Sequence, residues 1–361
     1  MRDMECAETA WLSTGEYLNQ FYAKAVKLRI PLIGSVDLTH RCNLGCIHCY
    51  LGGSSRTARK KEMDTGEVFS LLDEITEAGC LHLLITGGEP LLRNDFLEVY
   101  RRAKQNGLII TIFTNGTLIT DPILDLFDDL PPQAIEISLY GATLETYEKI
   151  TRTPGSYEKC LNGIRRLLNH TINLSLKTIL MSLNTHELFD IENMARELGV
   201  KFRFDPALFP RFNGERTPLD LRIPPEEAVE KEFSDVTRAK NWKTYFENTK
   251  GSVWSDNLYH CGAGVTSFHI DPYGFLKPCL MSDNFSYNLS GGSFLKGWNE
   301  VISGIADMKP DAAYNCNGCE KRYLCDVCPA FFKWENGAEH IRSEYLCAIG
   351  NHRFQKVHHW L

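Results

Sequence analysis

Between Ile33 and Asp205, short apolar runs alternate with longer amphipathic stretches along the chain. Strand-length apolar runs separated by helix-length segments are typical of strand–helix units that build a parallel sheet. Each intervening segment is long enough to hold a crossover helix. The pattern predicts six strands, over Gly34–Thr39, Leu81–Thr86, Leu108–Thr114, Ala134–Leu139, Asn173–Met181 and Lys201–Asp205.

Polar residues at the predicted helix starts support this pattern. Asp64 and Glu67 have the spacing of a capping box, apolar residues then recur at helical spacing, and Gly79 can end the helix. Asn94 is predicted to cap a second helix over Asp95–Asn106. The predicted fold class is α/β, a partial (β/α)6 barrel whose ligands bind at the C-terminal ends of its strands.

A change of composition after the sixth strand predicts a further domain. Residues 206–252 contain five prolines and then a charged, helix-like stretch, and the chain beyond Ser252 is rich in glycine, aromatic residues and cysteine. The predicted organisation is an N-terminal extension over residues 1–32, a barrel over 33–222, a linker with a helix over 223–252 and a cysteine-rich domain over 253–361.

Composition and charge exclude several classes of protein. No apolar run approaches the ~20 residues needed to cross a bilayer, so we expect no membrane partner. A net charge of −7 without a lysine or arginine block argues against nucleic acid as a partner. The first residues lack a secretory signal, so we expect a cytoplasmic protein. In that compartment thirteen cysteines indicate metal binding rather than disulfides.

Three cysteines lie on one loop directly after the first predicted strand. Cys42, Cys46 and Cys49 form a C-x3-C-x2-C run. Three thiolates on a [4Fe–4S] cluster leave one iron free for an outside ligand, whereas four would close the cluster. The alternative is a zinc site in which His48 or His40 is the fourth ligand.

This run resembles the signature of the radical S-adenosylmethionine (SAM) enzymes, C-x3-C-φ-C, in which φ is commonly aromatic. His48 stands at the φ position, where a flat ring suits packing beside adenine. The next strand runs into a segment similar to the family's GGEP motif, which holds the methionine amino group. Glycines allow close backbone approach, and a carboxylate suits an ammonium. The motif residues are Gly87, Gly88, Glu89 and Pro90.

Two further strand ends and one helix end carry polar residues where family members contact SAM. The resemblance assigns Asn115 and Ser138 to the ribose and the methionine carboxylate, although Asn-Gly is also a strong turn former. It assigns Arg152 to the same carboxylate, and a solvated arginine at a helix end is the alternative.

The C-terminal cysteines follow a second pattern, which resembles the SPASM domain. Cys261-x12-Gly274-x4-Cys279 precedes a C-x2-C-x5-C-x2-C run, and a last cysteine follows after 18 residues. The spacing departs from the family's only before Cys328, where x2 replaces x3. The resemblance implies a first auxiliary [4Fe–4S] cluster on Cys261, Cys279 and Cys328, and a second on Cys316, Cys319, Cys325 and Cys347.

The first auxiliary cluster lacks a fourth cysteine in this pattern. The resemblance therefore leaves either an open iron or a non-thiolate ligand such as Asp256 or His260. A pair of structural zinc sites is the alternative for all seven C-terminal cysteines.

The resemblance implies a reaction and its partners. SAM is cleaved reductively to a 5′-deoxyadenosyl radical that removes hydrogen from the substrate, with flavodoxin or ferredoxin as electron donor. Members with this C-terminal arrangement commonly modify ribosomally made precursor peptides, by epimerisation, a crosslink, a thioether or backbone excision. Since residues 1–32 are too few for a leader-binding domain, we expect a separate leader-binding protein. The alternatives are a small molecule or cofactor precursor as substrate, and a non-catalytic iron–sulfur protein.

Substrate contacts are expected at the C-terminal strand ends. Asp205 and Arg211 follow the sixth predicted strand, and Tyr140 follows the fourth, so these three are the candidate catalytic residues.

Anaerobically reconstituted protein is expected to hold about twelve irons, four in each of three clusters, and negligible zinc. Replacing Cys42, Cys46 and Cys49 together by alanine should remove about four irons and all SAM cleavage. Elemental mass spectrometry measures both metals. An iron content near four would contradict the auxiliary clusters.

Overall fold

The computed structural model describes residues 13–52, 61–252, 255–312 and 314–359. Within these residues the strands form one sheet of nine, ordered β6-β5-β4-β3-β2-β1-β7-β8-β9. The strands are β1 (Ile33–Thr39), β2 (His82–Gly87), β3 (Ile109–Thr114), β4 (Ala134–Ser138), β5 (Leu174–Ile179), β6 (Lys201–Asp205), β7 (Ser267–Ile270), β8 (Phe275–Lys277) and β9 (Tyr287–Asn288).

Helices lie between successive strands of the first part and cover the C-terminal part. None of those in the described residues is both long and apolar enough to cross a bilayer. They are α1 (Thr14–Leu28), α2 (Thr65–Glu77), α3 (Phe96–Gln105), α4 (Asp121–Asp129), α5 (Leu144–Thr151), α6 (Ser156–Leu168), α7 (Leu188–Glu197), α8 (Pro225–Phe233), α9 (Val236–Thr249), α10 (Phe294–Glu300), α11 (Pro329–Asn336) and α12 (Glu344–His359).

The six predicted strands are confirmed, each with ends within two residues of the prediction, and neighbours in the chain pair in parallel. Burial alternates along them because successive side chains point to opposite faces. On β3, for example, Ile110 and Ile112 are buried in the main core, whereas Phe113 lines an interior cavity. One face of the sheet therefore packs against helices and the other faces the cavity.

Three strands at the other edge of the sheet were not predicted. β7 pairs in parallel with β1, from Ile33 opposite Ser267 to Val36 opposite Ile270. Gly34 makes room for this contact, since a Cβ there would lie 2.5 Å from the Phe268 ring. The cysteine-rich part of the chain is thus joined to the six-stranded part by backbone hydrogen bonds.

The same core continues into the C-terminal part of the chain. Phe268, Phe294 and Trp298 are buried together with residues of β1 and β2. The Trp298 ring stacks on Phe294, and its Nε1 donates to the Arg29 carbonyl at 2.8 Å. Apolar burial therefore holds the two parts of the chain against each other.

The helix caps agree with the sequence in one case and differ in the other. Asp64 and Glu67 form the predicted capping box of α2. The prediction for Asn94 is wrong, since α3 begins after Asp95, which makes no side-chain cap bond. The Asp95 carboxylate instead accepts from Arg93 Nε at 2.7 Å and from Thr65 Oγ1 at 2.7 Å. The charged hydrogen bond from Arg93 therefore occupies the Asp95 carboxylate, which would otherwise be available to cap the helix.

The Trp298→Ala variant is expected to lower the free energy of unfolding by about 3–5 kcal/mol, because it leaves a cavity between the two parts of the core. Leu295→Ala on the same helix, at a side chain 48% exposed, is the matched control and should change little. Anaerobic denaturant titration of the reconstituted protein measures both. Equal losses in the two variants would contradict the shared core.

Candidate active site

The three N-terminal cysteines line a cavity of about 650 Å³ at the C-terminal ends of the strands. Their loop is fixed by backbone hydrogen bonds to the end of α5, from Gly45 N to the Thr151 carbonyl at 2.8 Å and from Ile47 N to the Ile150 carbonyl at 3.0 Å. The fold therefore presents Cys42, Cys46 and Cys49 to one common cavity.

The end of β2 runs directly against this loop. Gly88 N donates to the Thr39 carbonyl at 2.8 Å, and Glu89 N donates to the Arg41 carbonyl at 2.9 Å. A Cβ on Gly88 would lie 2.3 Å from the Arg41 carbonyl oxygen. Only glycine permits this approach. Gly87 and Gly88 both line the cavity.

Glu89 is fully buried behind the cavity wall. Its carboxylate accepts hydrogen bonds from Thr114 Oγ1 at 2.8 Å, Asn115 N at 2.8 Å and Leu91 N at 3.1 Å. Burial raises the pKa of Glu89 to about 7, although the hydrogen bonds oppose this shift. The carboxylate ties the end of β2 to the end of β3, and Pro90 beside it is also buried.

Asn115 and Ser138 both line the cavity at neighbouring strand ends. The Asn115 side chain also shapes its own turn, because its Oδ1 accepts from Thr117 N at 2.9 Å. Its Nδ2 donates to Asn43 Oδ1 at 2.9 Å and lies 3.9 Å from Cys42 Sγ. Asn115 therefore both stabilises its turn and lines the cavity.

His48 and Tyr140 form an aromatic wall of the cavity. Their ring centroids are 4.5 Å apart, at an interplanar angle of 69°. Burial and, to a smaller extent, the positive charge of Arg211 together lower the pKa of His48 to about 4. Its Nδ1 is buried and has no hydrogen-bond partner among the described residues, which costs about 1–3 kcal/mol in general. A neutral ring with an unmet polar atom is suited to a ligand such as adenine.

The other candidate catalytic residues also reach the cavity. Arg211 Nη2 donates to the Ile47 carbonyl at 2.9 Å, and Nη1 pairs with Glu215. Asp205 accepts from Ala207 N at 2.7 Å. Its carboxylate is open to the cavity but surrounded by protein, and this burial raises its pKa. The structure brings Asp205, Tyr140 and Arg211 around the same space as the first cysteine loop.

Arg152 is placed differently. It ends α5 in the left-handed region at φ 53°, it is exposed, and it is not among the residues that line the cavity. Its contact with SAM stays a prediction.

The four thiols assigned to the second auxiliary cluster lie near one another. Burial raises the pKa of Cys325 to about 12, and the neighbouring thiols of Cys316, Cys319 and Cys347 add to this shift. Gly350 of α12 lies against this group, since a Cβ there would be 2.3 Å from Cys325 Cβ.

The remaining three thiols form a separate group. Burial raises the pKa of Cys328 to about 12, and its thiol neighbours are Cys279 and Cys261. Of the two proposed non-thiolate ligands, Asp256 pairs with Lys309 at 2.6 Å and His260 Nε2 lies 3.0 Å from Asn317 Oδ1. Whether either side chain binds the first auxiliary cluster stays a prediction.

The donor set fits iron–sulfur clusters. Among the described residues no three cysteine, histidine or acidic side chains are arranged around a single metal ion. Thiolates of a four-iron cluster each bind a different iron, so they need only surround a common volume.

Several residues of the cavity were missed by the sequence reasoning. Lys177 and Arg203 face the cavity from β5 and β6, and His269 and Leu280 face it from the C-terminal part. The signal for the first two was present in the alternation along each strand. Lys177 follows the buried Leu176, and Arg203 lies between Phe202 and Phe204. The position of His269 depends on the unpredicted pairing of β7 with β1.

Comparison with known proteins agrees with this arrangement. Residues 36–198 match the radical SAM superfamily. An AdoMet-dependent heme synthase from Methanosarcina barkeri is 33% identical over 321 residues, covering 83% of this chain and 91% of that protein. The mycofactocin maturase MftC of Mycobacterium tuberculosis is 26% identical over 304 residues, covering 81% of this chain and 76% of that protein.

A solved structure shares the fold over most of the chain. The crystal structure of Streptococcus suis SuiB bound to precursor peptide SuiA has a TM-score of 0.70 at 15% identity, covering 96% of this chain and 84% of SuiB. Parallel strands, a three-cysteine loop and a glycine-lined cavity define the class as SAM-dependent iron–sulfur enzymes. The chain belongs to the radical SAM superfamily. Membership implies a [4Fe–4S] cluster and SAM as cofactors.

Gly88→Ala is expected to weaken SAM binding by about tenfold or more, because the added Cβ forces the cysteine loop away from β2. Equilibrium dialysis of the reconstituted protein against labelled SAM measures the affinity. Gly291→Ala is the matched control, since a Cβ there meets nothing within 4 Å. If Gly88→Ala bound SAM as tightly as the wild type, SAM binding would not require the close approach of Gly88 to the cysteine loop.

Proposed function

We propose that this enzyme cleaves SAM reductively and abstracts hydrogen from a ribosomally synthesised peptide, which it thereby modifies. The main observation behind this proposal is the cavity of about 650 Å³. The first cysteine loop, side chains from β5 and β6, and the C-terminal part all line it. A recessed cavity of this kind limits the access of water to a reactive species. Its volume is within the range of ligand-binding cavities.

The proposed cofactors are SAM and three [4Fe–4S] clusters. The grouping of three, three and four thiols supports this number. When bound, SAM at the first cluster supplies a 5′-deoxyadenosyl radical. Gly87 and Gly88 allow the ligand close to the backbone, and Glu89 positions the strand ends that flank it. His48 and Tyr140 form the ring wall, with Asn115 and Ser138 beside them.

The proposed substrate contacts are Asp205, Tyr140 and Arg211. Asp205 has its pKa raised by burial, which brings the carboxyl group closer to neutral pH and suits proton transfer. Arg211 is anchored to the cysteine loop through the Ile47 carbonyl and is therefore held in a fixed position. These features favour roles in orienting the substrate and in moving a proton.

A peptide substrate is supported by the relatives. The PqqA peptide cyclase of Rhizobium meliloti is named for a peptide, and SuiB is seen with a precursor peptide. We propose a precursor peptide as substrate, a separate protein that binds its leader, and flavodoxin or ferredoxin as electron donor in the cytoplasm.

A tetrapyrrole is the second candidate substrate. The observation that favours it is the 33% identity with an AdoMet-dependent heme synthase over 83% of this chain. That identity exceeds the 26% shared with the mycofactocin maturase MftC.

Co-expression with a short peptide encoded beside the gene, and with any small leader-binding protein there, is expected to change the mass of the peptide. Mass spectrometry of the recovered peptide measures the change. The matched control is the enzyme with Cys42, Cys46 and Cys49 replaced by alanine, which should leave the peptide unaltered. An unaltered peptide with the wild-type enzyme, together with turnover of an iron porphyrin carboxylate, would favour the tetrapyrrole.

A further inference from the structure

A pair of cationic side chains lies on the β5–β6 wall of the cavity. Lys177 and Arg203 are directly opposite each other in the parallel register of β5 and β6. Both line the cavity, on the same wall as Phe113 and Ser138. None of the roles assigned above to the cofactors or to the substrate uses these two cations.

One carboxylate serves both cations. Glu136 Oε2 lies 2.6 Å from Arg203 Nη2 and 3.7 Å from Lys177 Nζ. The first distance is that of a charged hydrogen bond, and the second is longer than a hydrogen bond. Lys177 Nζ instead lies 2.9 Å from the centroid of the Phe113 ring. One of the two positive charges is therefore not neutralised by Glu136.

Lys177 is the cation whose charged form this arrangement destabilises. Its side chain is only 18% exposed, and burial lowers its pKa to about 7, with Glu136 opposing the shift and Arg203 adding to it. A buried ammonium that pairs poorly is destabilised, and an added anion at the same place would restore its charge. A negative group that enters the cavity would therefore stabilise the charged form of Lys177.

The other acidic residue on this wall does not supply that group. Asp205 follows on β6, but its carboxylate accepts from Ala207 N at 2.7 Å, and within the described residues no ion pair joins it to Lys177 or Arg203. The pair of cations is therefore suited to a negative ligand that enters the cavity.

We propose that Lys177 and Arg203 form a carboxylate-binding subsite that selects a substrate peptide with an acidic group next to the reacting residue. This inference rests on the proposed function, since it names the chemistry of the peptide that enters the cavity. The acidic group is either the side chain of aspartate or glutamate or a C-terminal carboxylate. Arg203 contributes a forked donor and Lys177 a desolvated charge.

The direct test uses capped amino acids as probes, so it does not require a known peptide. Reconstituted enzyme with SAM is titrated calorimetrically with N-acetylglutamate α-amide, N-acetylglutamine amide and N-acetylalanine. We expect one of the two carboxylates to bind at least about tenfold more tightly than the neutral amide. The preferred carboxylate identifies the source of the acidic group, and equal affinities for all three probes would overturn the proposal.

Four variants separate this role from a structural one. Lys177→Met and Arg203→Met should each weaken the carboxylate about tenfold, and Lys177→Arg should largely retain it. Glu136→Gln removes the competing carboxylate and should strengthen binding, a gain that partial unfolding does not produce. Lys201→Met is the matched control on β6, because that exposed residue is not among those that line the cavity. Weaker binding in Glu136→Gln would contradict the subsite.

SAM carries a carboxylate of its own, so its affinity is measured in the same variants by equilibrium dialysis. Retained SAM affinity with lost probe binding supports a substrate subsite. Loss of SAM affinity in Lys177→Met and Arg203→Met would show that the pair holds SAM instead, and the proposal would be wrong. If the probes bind as expected but no peptide is modified, the subsite stands and the proposed peptide modification fails.

Discussion

The contact between the end of β2 and the first cysteine loop sets the geometry on which the site depends. Two backbone hydrogen bonds join Gly88 and Glu89 to the carbonyls of Thr39 and Arg41, at a distance that leaves no space for a side chain. Because β1 leads into the loop and β2 ends against it, the parallel pairing of these strands positions the three thiols. The buried carboxylate of Glu89 then extends this order to Asn115 at the end of β3.

The same strand links the N-terminal and C-terminal parts of the chain. β1 pairs with β2 on one side and with β7 on the other, so the loop after β1 and the segment after β7 are fixed relative to each other. Buried Phe268 and Trp298 reinforce this link through the common core. His269 and Leu280 reach the cavity as a consequence, and the C-terminal part forms one wall of the site. Both parts of the chain therefore contribute side chains to the cavity.

Much of this architecture could be predicted from local sequence signals. Apolar alternation gave the six parallel strands because each strand is long and its crossover helix is amphipathic. Thiol spacing indicated the first cysteine loop, whereas the division of the seven C-terminal cysteines into two groups came from the resemblance to the SPASM domain, because the two sets interleave along the chain. The strand β7 was missed because it is only four residues long and its partner is distant in sequence. Asn94 was misassigned because the helix begins one residue later, where the Asp95 carboxylate is held by Arg93 two residues before it and by Thr65 of α2. The alternation along β5 placed Lys177 on the face opposite Leu176, but the sequence did not show that this face lines a cavity.

Hydrogen transfer from the peptide to the adenosyl group is the central claim, and isotope transfer tests it most directly. A perdeuterated precursor peptide, incubated with the reconstituted enzyme, SAM and a reductant, should give 5′-deoxyadenosine that carries deuterium from the peptide, as read by mass spectrometry. Formation of 5′-deoxyadenosine without deuterium, while the peptide stays unmodified, would contradict the claim.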